Sequence, residues 1–181
     1  VVCRSIERLA GGQLTLAQPT GSLDRSFGLR AVHWRDATLD VQLEDLQFDW
    51  RPAELLQSRL LVTGIAATRL RVASVPSNEP LSVPDSLRLP LAVVIERLRL
   101  GRVEIGDYAH PDGKAATVVE ALSASISSDG VVHRLAALSA RVSGLAVTAD
   151  ASLAGDQPYA LAASASIEGE AAGRMLAFDL S

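Results

Sequence analysis

The sequence is poor in aromatic residues and cysteine, and it has no excess of positive charge. Trp, Tyr and Phe make up 4% of the 181 residues, so the hydrophobic fraction of 48% comes mainly from aliphatic side chains. Cys3 is the single cysteine, which excludes an intrachain disulfide and a cysteine metal cage. The net charge of −4 leaves no basic excess to neutralise a phosphate backbone, so we expect no nucleic-acid partner.

Long hydrophobic runs are also missing. The longest apolar stretches, such as residues 89–95, fall far short of the roughly 18 to 20 residues that span a bilayer. The chain begins at Val1 with no initiator methionine and no signal peptide, which predicts a processed protein or a fragment of a longer one.

Residues that carry chemistry do not cluster. His33, His110 and His133 are scattered, and none lies at metal-ligand spacing from another His or Cys. Asp107 begins a segment rich in turn-forming residues, so its carboxylate is better explained by turn capping than by acid–base catalysis. No phosphate-binding loop follows a strand and no serine sits in a nucleophile elbow. The sequence therefore predicts no enzyme, no cofactor and no metal site.

What the chain does have is alternation of apolar and polar residues, the pattern of half-buried strands. Apolar residues occupy positions 39, 41 and 43 and then switch to 46, 48 and 50. Similar switches separate 27 and 29 from 32 and 34, and 98 and 100 from 103 and 105, with Gly101 at the last break. Bulges and glycines give strands curvature. We therefore predict an all-β fold, an elongated, curled antiparallel sheet with one apolar face.

Two segments interrupt the strands. Pro52 suits a first helical turn, so we predict one short helix near residues 52–58, with Leu55 and Leu56 covering an open end of the sheet. Residues 75–90 hold four of the eight prolines and predict a linker or loop. The expected organisation is an N-terminal β segment (1–74), this linker (75–90) and a C-terminal β meander (91–181) that continues the same groove.

The apolar face has two interpretations. It is either an ordinary sandwich core or an open groove, and a long curled sheet that is aliphatic and poor in aromatics favours a groove for alkyl chains. The nine groove candidates are Leu39, Val41, Leu43, Phe48, Trp50, Leu70, Val72, Leu98 and Leu100. Arginines beside them, such as Arg69 and Arg97, either form a solvated outer face, which we favour, or line a rim that meets anionic headgroups.

Four stretches of the sequence resemble the N-terminal region of the TamB family of AsmA-like proteins. They are QLTL (13–16) with GSLDRSFGL (21–29), LQFDWRPAELL (46–56), IAATRLRV (65–72) and LRLPLAVVIERLRL (87–100). The likeness covers roughly the first 110 residues, and the alanine-rich remainder matches only in style. None of these stretches is a catalytic signature.

The resemblance implies a periplasmic protein of the Gram-negative envelope whose β-sheet curls into a taco-like groove. It implies an inner-membrane anchor upstream of Val1, phospholipid acyl chains as ligands and a TamA-like outer-membrane barrel as partner. The expected function is that of a groove segment of a bridge-like protein that carries phospholipids between the inner and outer membranes.

Two alternatives stay open. In the first, an exposed strand edge acts as a β-augmentation scaffold that assists outer-membrane protein assembly with a barrel partner. Exposed edges would also allow edge-to-edge self-association. In the second, the chain is a β-helix enzyme acting on polysaccharide, for which the sequence offers few of the expected charged and aromatic residues.

Overall fold

The computed structural model describes residues 13–75, 84, 86–110, 115–171 and 174–180. Cys3, most of the predicted linker and the part of the predicted turn at 111–114 lie outside these residues. The strands are β1 (Gln13–Ser22), β2 (Ser26–Arg35), β3 (Leu39–Arg51), β4 (Arg59–Ser74), β5 (Ala92–Asp107), β6 (Thr117–Ser128), β7 (Val132–Val142), β8 (Leu145–Ala154), β9 (Leu161–Ala171) and β10 (Arg174–Leu180). The predicted all-β fold is confirmed.

All ten strands form one sheet whose spatial order is the order of the chain. Every neighbouring pair is antiparallel except β4 and β5, which run parallel, with Arg59 opposite Ala92 and Ser74 opposite Asp107. The predicted antiparallel pairing is confirmed for eight of the nine neighbouring pairs and is wrong only for β4 and β5. The physical reason is the connection between the two strands, because a long crossover returns the chain to the same end of the sheet before β5 begins.

Six strands are interrupted at one common level, where each of the five ladders between them omits a pairing. For example, Leu29 pairs with Leu46 and Ala31 with Glu44, which leaves Arg30 and Asp45 without a ladder pairing to each other. We call this row the first crease, and its members are Gln18, Arg30, Asp45, Thr68, Gly101 and Ala121. Because each strand carries one extra residue at this level, the apolar positions change parity while the register is kept on both sides.

The backbone at the first crease explains why these residue types stand there. Gln18, Asp45 and Ala121 are left-handed, with φ of 48°, 51° and 50°. A Cβ added to Gly101 would lie 2.7 Å from the carbonyl oxygen of Thr68, so only glycine fits this approach of β5 to β4. The predicted breaks at 44–45 and at Gly101 are thus confirmed. The structure shows in addition that they lie on one line across the sheet.

The sheet is curled along its strands. Strand β5 has 16 residues and therefore a contour of about 50 Å. Val75 lies at one end of the sheet, where its N–H donates to Thr38 O (2.9 Å), and Pro84 lies at the other, where its carbonyl accepts from Tyr159 Oη. These two residues are nine positions apart, a reach of at most about 32 Å. The two ends of the sheet must therefore approach each other.

The short helix exists, but as a single 3-10 segment, Pro52–Gln57, that ends at the left-handed Ser58. It has no side-chain hydrogen bond at its N-terminus, so nothing favours further turns. Leu55 and Leu56 are 41% and 92% exposed. The prediction that both leucines cover the sheet end is therefore wrong.

Candidate functional site

The candidate site is the face of the sheet that carries the predicted groove residues. On one side of the first crease, Val41 lies opposite Val72 and Leu43 opposite Leu70. The same row continues into β5, where Leu70 lies opposite Val103. Directly paired residues point to the same face, so these side chains form one apolar band across the strands.

A second band lies beyond the crease. Phe48 is the partner of both Phe27 and Ile65, and Ile65 is the partner of Leu98. The Phe27 and Phe48 ring centroids are 5.0 Å apart, and those of Phe48 and Trp50 are 6.3 Å apart. The parity change at the crease brings the two bands onto one side, which we call the apolar face.

The structure locates all nine predicted residues in these two bands. Leu39, Val41, Leu43, Leu70 and Val72 lie before the crease, and Phe48, Trp50, Leu98 and Leu100 lie beyond it. All nine are half-buried. No second layer of strands packs on them among the residues that the structure describes, because every described strand belongs to the one sheet. The described strands therefore do not form a sandwich core over these residues.

The prediction missed further members of the apolar face. Their signal was the same alternation of apolar and polar residues, in strands that contributed none of the nine candidates. They include Leu14, Leu16, Val32, Trp34, Ile126, Leu135 and Leu153, which continue the bands by register. At β6–β9 the face forms an open depression of about 280 Å³ lined by Ile126, His133, Leu135 and Leu161, among others.

Residues 86–90, which we call the strap, lie along the sheet end beside this depression. Leu87 N donates to Gly155 O and Leu89 N to Gly130 O, each at 2.9 Å. Arg88 binds Asp156 with two hydrogen bonds of 2.7 and 2.6 Å. The His133 ring, which shares a face with Leu135, lies 2.9 Å from Leu87 O through Nε2. The strap is thus on the apolar side, and the short reach of the crossover indicates that the apolar face is the concave one.

The opposite face, which we call the polar face, holds a chain of ion pairs across β3–β6. Glu104 is buried and accepts from Arg69 Nη2 (2.6 Å) and Arg102 Nε (2.7 Å). These arginines reach on to Glu44 and Glu120, at 3.4 and 3.0 Å. Hydrogen bonds from Arg102 and Arg69 hold the pKa of Glu104 below its usual range.

A second buried carboxylate lies farther along the polar face. Asp40 is 1% exposed, and its oxygens lie 3.2 Å from His33 Nε2 and 3.2 Å from Arg35 Nη1. Tyr108 Oη donates to Asp36 O (2.5 Å), with the Arg35 guanidinium 4.7 Å from its ring centroid. These contacts could not be predicted from the sequence, since they join residues up to 73 positions apart.

Neither a metal centre nor a membrane span is found in the part of the chain that the structure describes. Within those residues, no group of three or more His, Cys, Asp or Glu side chains is placed to hold a metal ion. No helix among them is both long and apolar enough to cross a bilayer. Asp107 accepts from Ala109 N at 3.0 Å, which agrees with the predicted turn-capping role.

Comparison with known protein families gives a match. The family model described as the TamB N-terminal domain matches residues 2–106, more than half of the chain. No curated protein and no solved structure gives a significant match. The matched region contains β1 to β4 and all of β5 except its last residue. It therefore includes both bands of predicted groove residues.

Proposed function

The chain belongs to the TamB family, and from that premise we propose that it is a periplasmic groove segment of a bridge-like protein that carries phospholipids between the inner and outer membranes. TamB-family proteins are envelope proteins of a structural or transport family that is not known as enzymatic, and the family is associated with TamA-type partners. An inner-membrane anchor upstream of Val1 belongs to the same proposal.

The observation that carries the proposal is the single-layered apolar face. A face whose leucines and valines stay half-buried still has apolar area to cover, and alkyl chains can cover it. Burying a methylene group is worth about 0.8 kcal/mol, so an acyl chain of roughly 16 carbons gains on the order of 10 kcal/mol. That gain holds a lipid without contacts to its headgroup, which stays in water at the opening.

Motion along the groove needs no directional chemistry from this segment. Contacts between alkyl chains and aliphatic side chains are non-directional, so neighbouring positions along the face have similar energies. Lipids then slide along the face, and the driving force comes from elsewhere in the envelope.

Site-specific photo-crosslinking tests the proposal. A photoreactive residue is placed at Leu43 or Phe48, with the neighbouring positions Glu44 and Gln47 as matched controls on the polar face. Both control positions are exposed. Asp40, another polar-face residue of β3, is not suitable as a control because it is buried in contact with His33 and Arg35. The full-length protein is irradiated in the envelope of a Gram-negative cell, and bound phospholipid is measured on the purified protein.

We expect phospholipid adducts from the two apolar positions and at least tenfold fewer from the controls. Equal labelling at all four positions would mean non-specific membrane contact. Absence of adducts at Leu43 and Phe48 in folded protein would refute the groove. A matched substitution, Leu43→Asp, is expected to lower lipid transfer, whereas Glu44→Gln leaves it unchanged.

A β-augmentation scaffold is the second candidate, and the free edge of β1 favours it. Among the described strands, β1 pairs only with β2, so alternate N–H and C=O groups along its outer side are open to another strand. Proline at Leu16 or at Ala17 removes an N–H, and alternate N–H groups point to opposite edges. In one of these two variants, the N–H that proline removes is the one that points to the outer edge of β1. The scaffold predicts that this variant folds but loses barrel assembly. The groove predicts that this variant keeps lipid transfer.

A further inference from the structure

A small notch on the polar face lies between β3 and β5, with β4 as its floor. Its walls are Asp49 on β3 and the two arginines Arg97 and Arg99 on β5, and its floor is Gly64 and Ala66. Asp49 is the ladder partner of Gly64, and Ala66 is the partner of Arg99. The notch has a volume of about 150 Å³. Two small residues on β4 thus separate a carboxylate from two guanidinium groups.

One residue of each wall, Asp49 and Arg97, lies against β4. A Cβ built on Gly64 would lie 3.2 Å from Asp49 Oδ2, so the carboxylate lies directly over the glycine. Arg97 Nε donates to Thr63 O at 3.2 Å, which holds its guanidinium beside β4 and leaves the two terminal nitrogens for another acceptor.

The charges of the two walls face each other without direct pairing. No ion pair within 4.0 Å joins Asp49 to Arg97 or Arg99 among the described residues, although the same face pairs Glu104 closely with Arg69 and Arg102. A ligand with a cation at one end and an anion at the other is complementary to both walls at once.

We propose that the notch binds a small amine–phosphate zwitterion of the phosphoethanolamine type. Two guanidinium groups suit a phosphate, because each offers paired N–H donors to its oxygens. A primary ammonium carries three N–H donors and can hydrogen bond the Asp49 carboxylate. This chemistry occurs in a free solute and in a lipid headgroup. The notch lies on the face opposite the groove, so the proposal is independent of lipid carriage.

An NMR titration of the 181-residue chain with O-phosphoethanolamine tests the site. We expect saturable shifts of the amide signals of Gly64, Arg97 and Arg99. Orthophosphate alone and ethanolamine alone are expected to bind at least tenfold more weakly, because each reaches one wall only. A hydrogen bond to a charged group is worth about tenfold or more in affinity.

Three variants separate the parts of the notch. Asp49→Asn should reduce the affinity for phosphoethanolamine to that for orthophosphate, and Arg99→Gln should reduce both by at least tenfold. Ala66→Leu fills the floor without changing charge and should weaken binding to a similar extent. Arg141→Gln, an exposed arginine on β7, is the matched control and should bind as the wild type does.

Cosedimentation with phosphatidylethanolamine vesicles, compared with phosphatidylcholine vesicles, identifies the source of the ligand. Preferential binding to the first, lost in Arg99→Gln, assigns the notch to a bilayer headgroup, and binding of the free solute alone assigns it to a soluble zwitterion. Unchanged affinity in Asp49→Asn, or no saturable shift in folded wild-type protein, would overturn the proposal. Either result leaves crosslinking at Leu43 unaffected.

Discussion

The close approach of β5 to β4 at the first crease makes a sharp prediction about two glycines of one strand. Alanine at Gly101 would place its Cβ 2.7 Å from the Thr68 carbonyl oxygen, whereas alanine at Gly106 would meet no atom within 4 Å. Neither glycine has a positive φ, so both positions accept an L side chain in backbone terms. The two substitutions are chemically identical and differ only in the space that receives the methyl group.

The magnitude follows from two opposing terms. Replacing glycine by alanine restricts the unfolded chain and stabilises the fold by about 0.4 to 1 kcal/mol at either site. At Gly101 the overpacking adds a cost of about 1 to 3 kcal/mol, because the neighbour is backbone and cannot turn away. We expect Gly106→Ala to be slightly stabilising and Gly101→Ala to be destabilising, with the two about 2 kcal/mol apart.

Urea unfolding followed by far-UV circular dichroism measures this difference. The midpoint should fall for Gly101→Ala and rise slightly for Gly106→Ala, with the slope of the transition unchanged in both. Equal midpoints would refute the reasoning, because they would mean that the approach of Gly101 to Thr68 is not needed to form the crease. A changed slope would instead indicate an altered unfolded state or a loss of two-state behaviour.

Three further predictions concern the polar face, the strap and the surface. Glu104→Gln should cost about 2 kcal/mol of unfolding free energy at pH 7. Folding lowers the pKa of Glu104, so its contribution to the unfolding free energy is present above the usual pKa of 4.5 and is lost as pH falls through the lowered pKa. The stabilities of wild type and variant should therefore converge in acid. A stability difference that does not change with pH would contradict the ion pairs. Arg88→Glu should lower the melting temperature slightly in low salt, with recovery in the double variant that also carries Asp156→Arg; no recovery would mean that the strap is held otherwise. Leu56→Ser, at a site 92% exposed, should change unfolding free energy by less than about 0.5 kcal/mol, whereas Val62→Ala, at a site 2% exposed, should cost about 2 kcal/mol, and comparable denaturation midpoints would contradict the burial pattern.

Alternation predicted the faces of the strands because the side-chain period of a strand is fixed at two residues. The parity switch between Leu43 and Leu46 marked the position of Asp45 in the first crease, and the switch around Gly101 marked another. Each switch is local to one strand, so the sequence predicted separate kinks. Their alignment into one line depends on the register of the strands, which is set by the whole sheet. In that register, Asp45 forms a ladder pair with neither Arg30 nor Thr68.

Strand direction and the buried ion pairs could not be predicted from alternation, for a different reason. Alternation is the same in a parallel and an antiparallel strand, so nothing in residues 92–107 signals that β5 runs parallel to β4. The partners of Glu104 come from β4 and β5, and the guanidinium of Arg69 could equally face solvent. Without the register, these arginines look like any solvated outer face. The strap contact between Arg88 and Asp156 joins residues 68 positions apart and has the same explanation.

The direction of the first crease determines how the proposed groove grows. The crease crosses β1 to β6 at right angles to the strands, so bending about it brings the strand ends together and leaves a trough that runs from strand to strand. Neighbouring strands lie about 4.8 Å apart, so the five spacings between β1 and β6 give about 24 Å of trough. Because the trough lengthens by strand addition at an edge, a chain with more strands of this type carries a longer groove with the same cross-section. The apolar positions of each strand, rather than any single binding residue, are therefore the units on which the proposed lipid carriage depends.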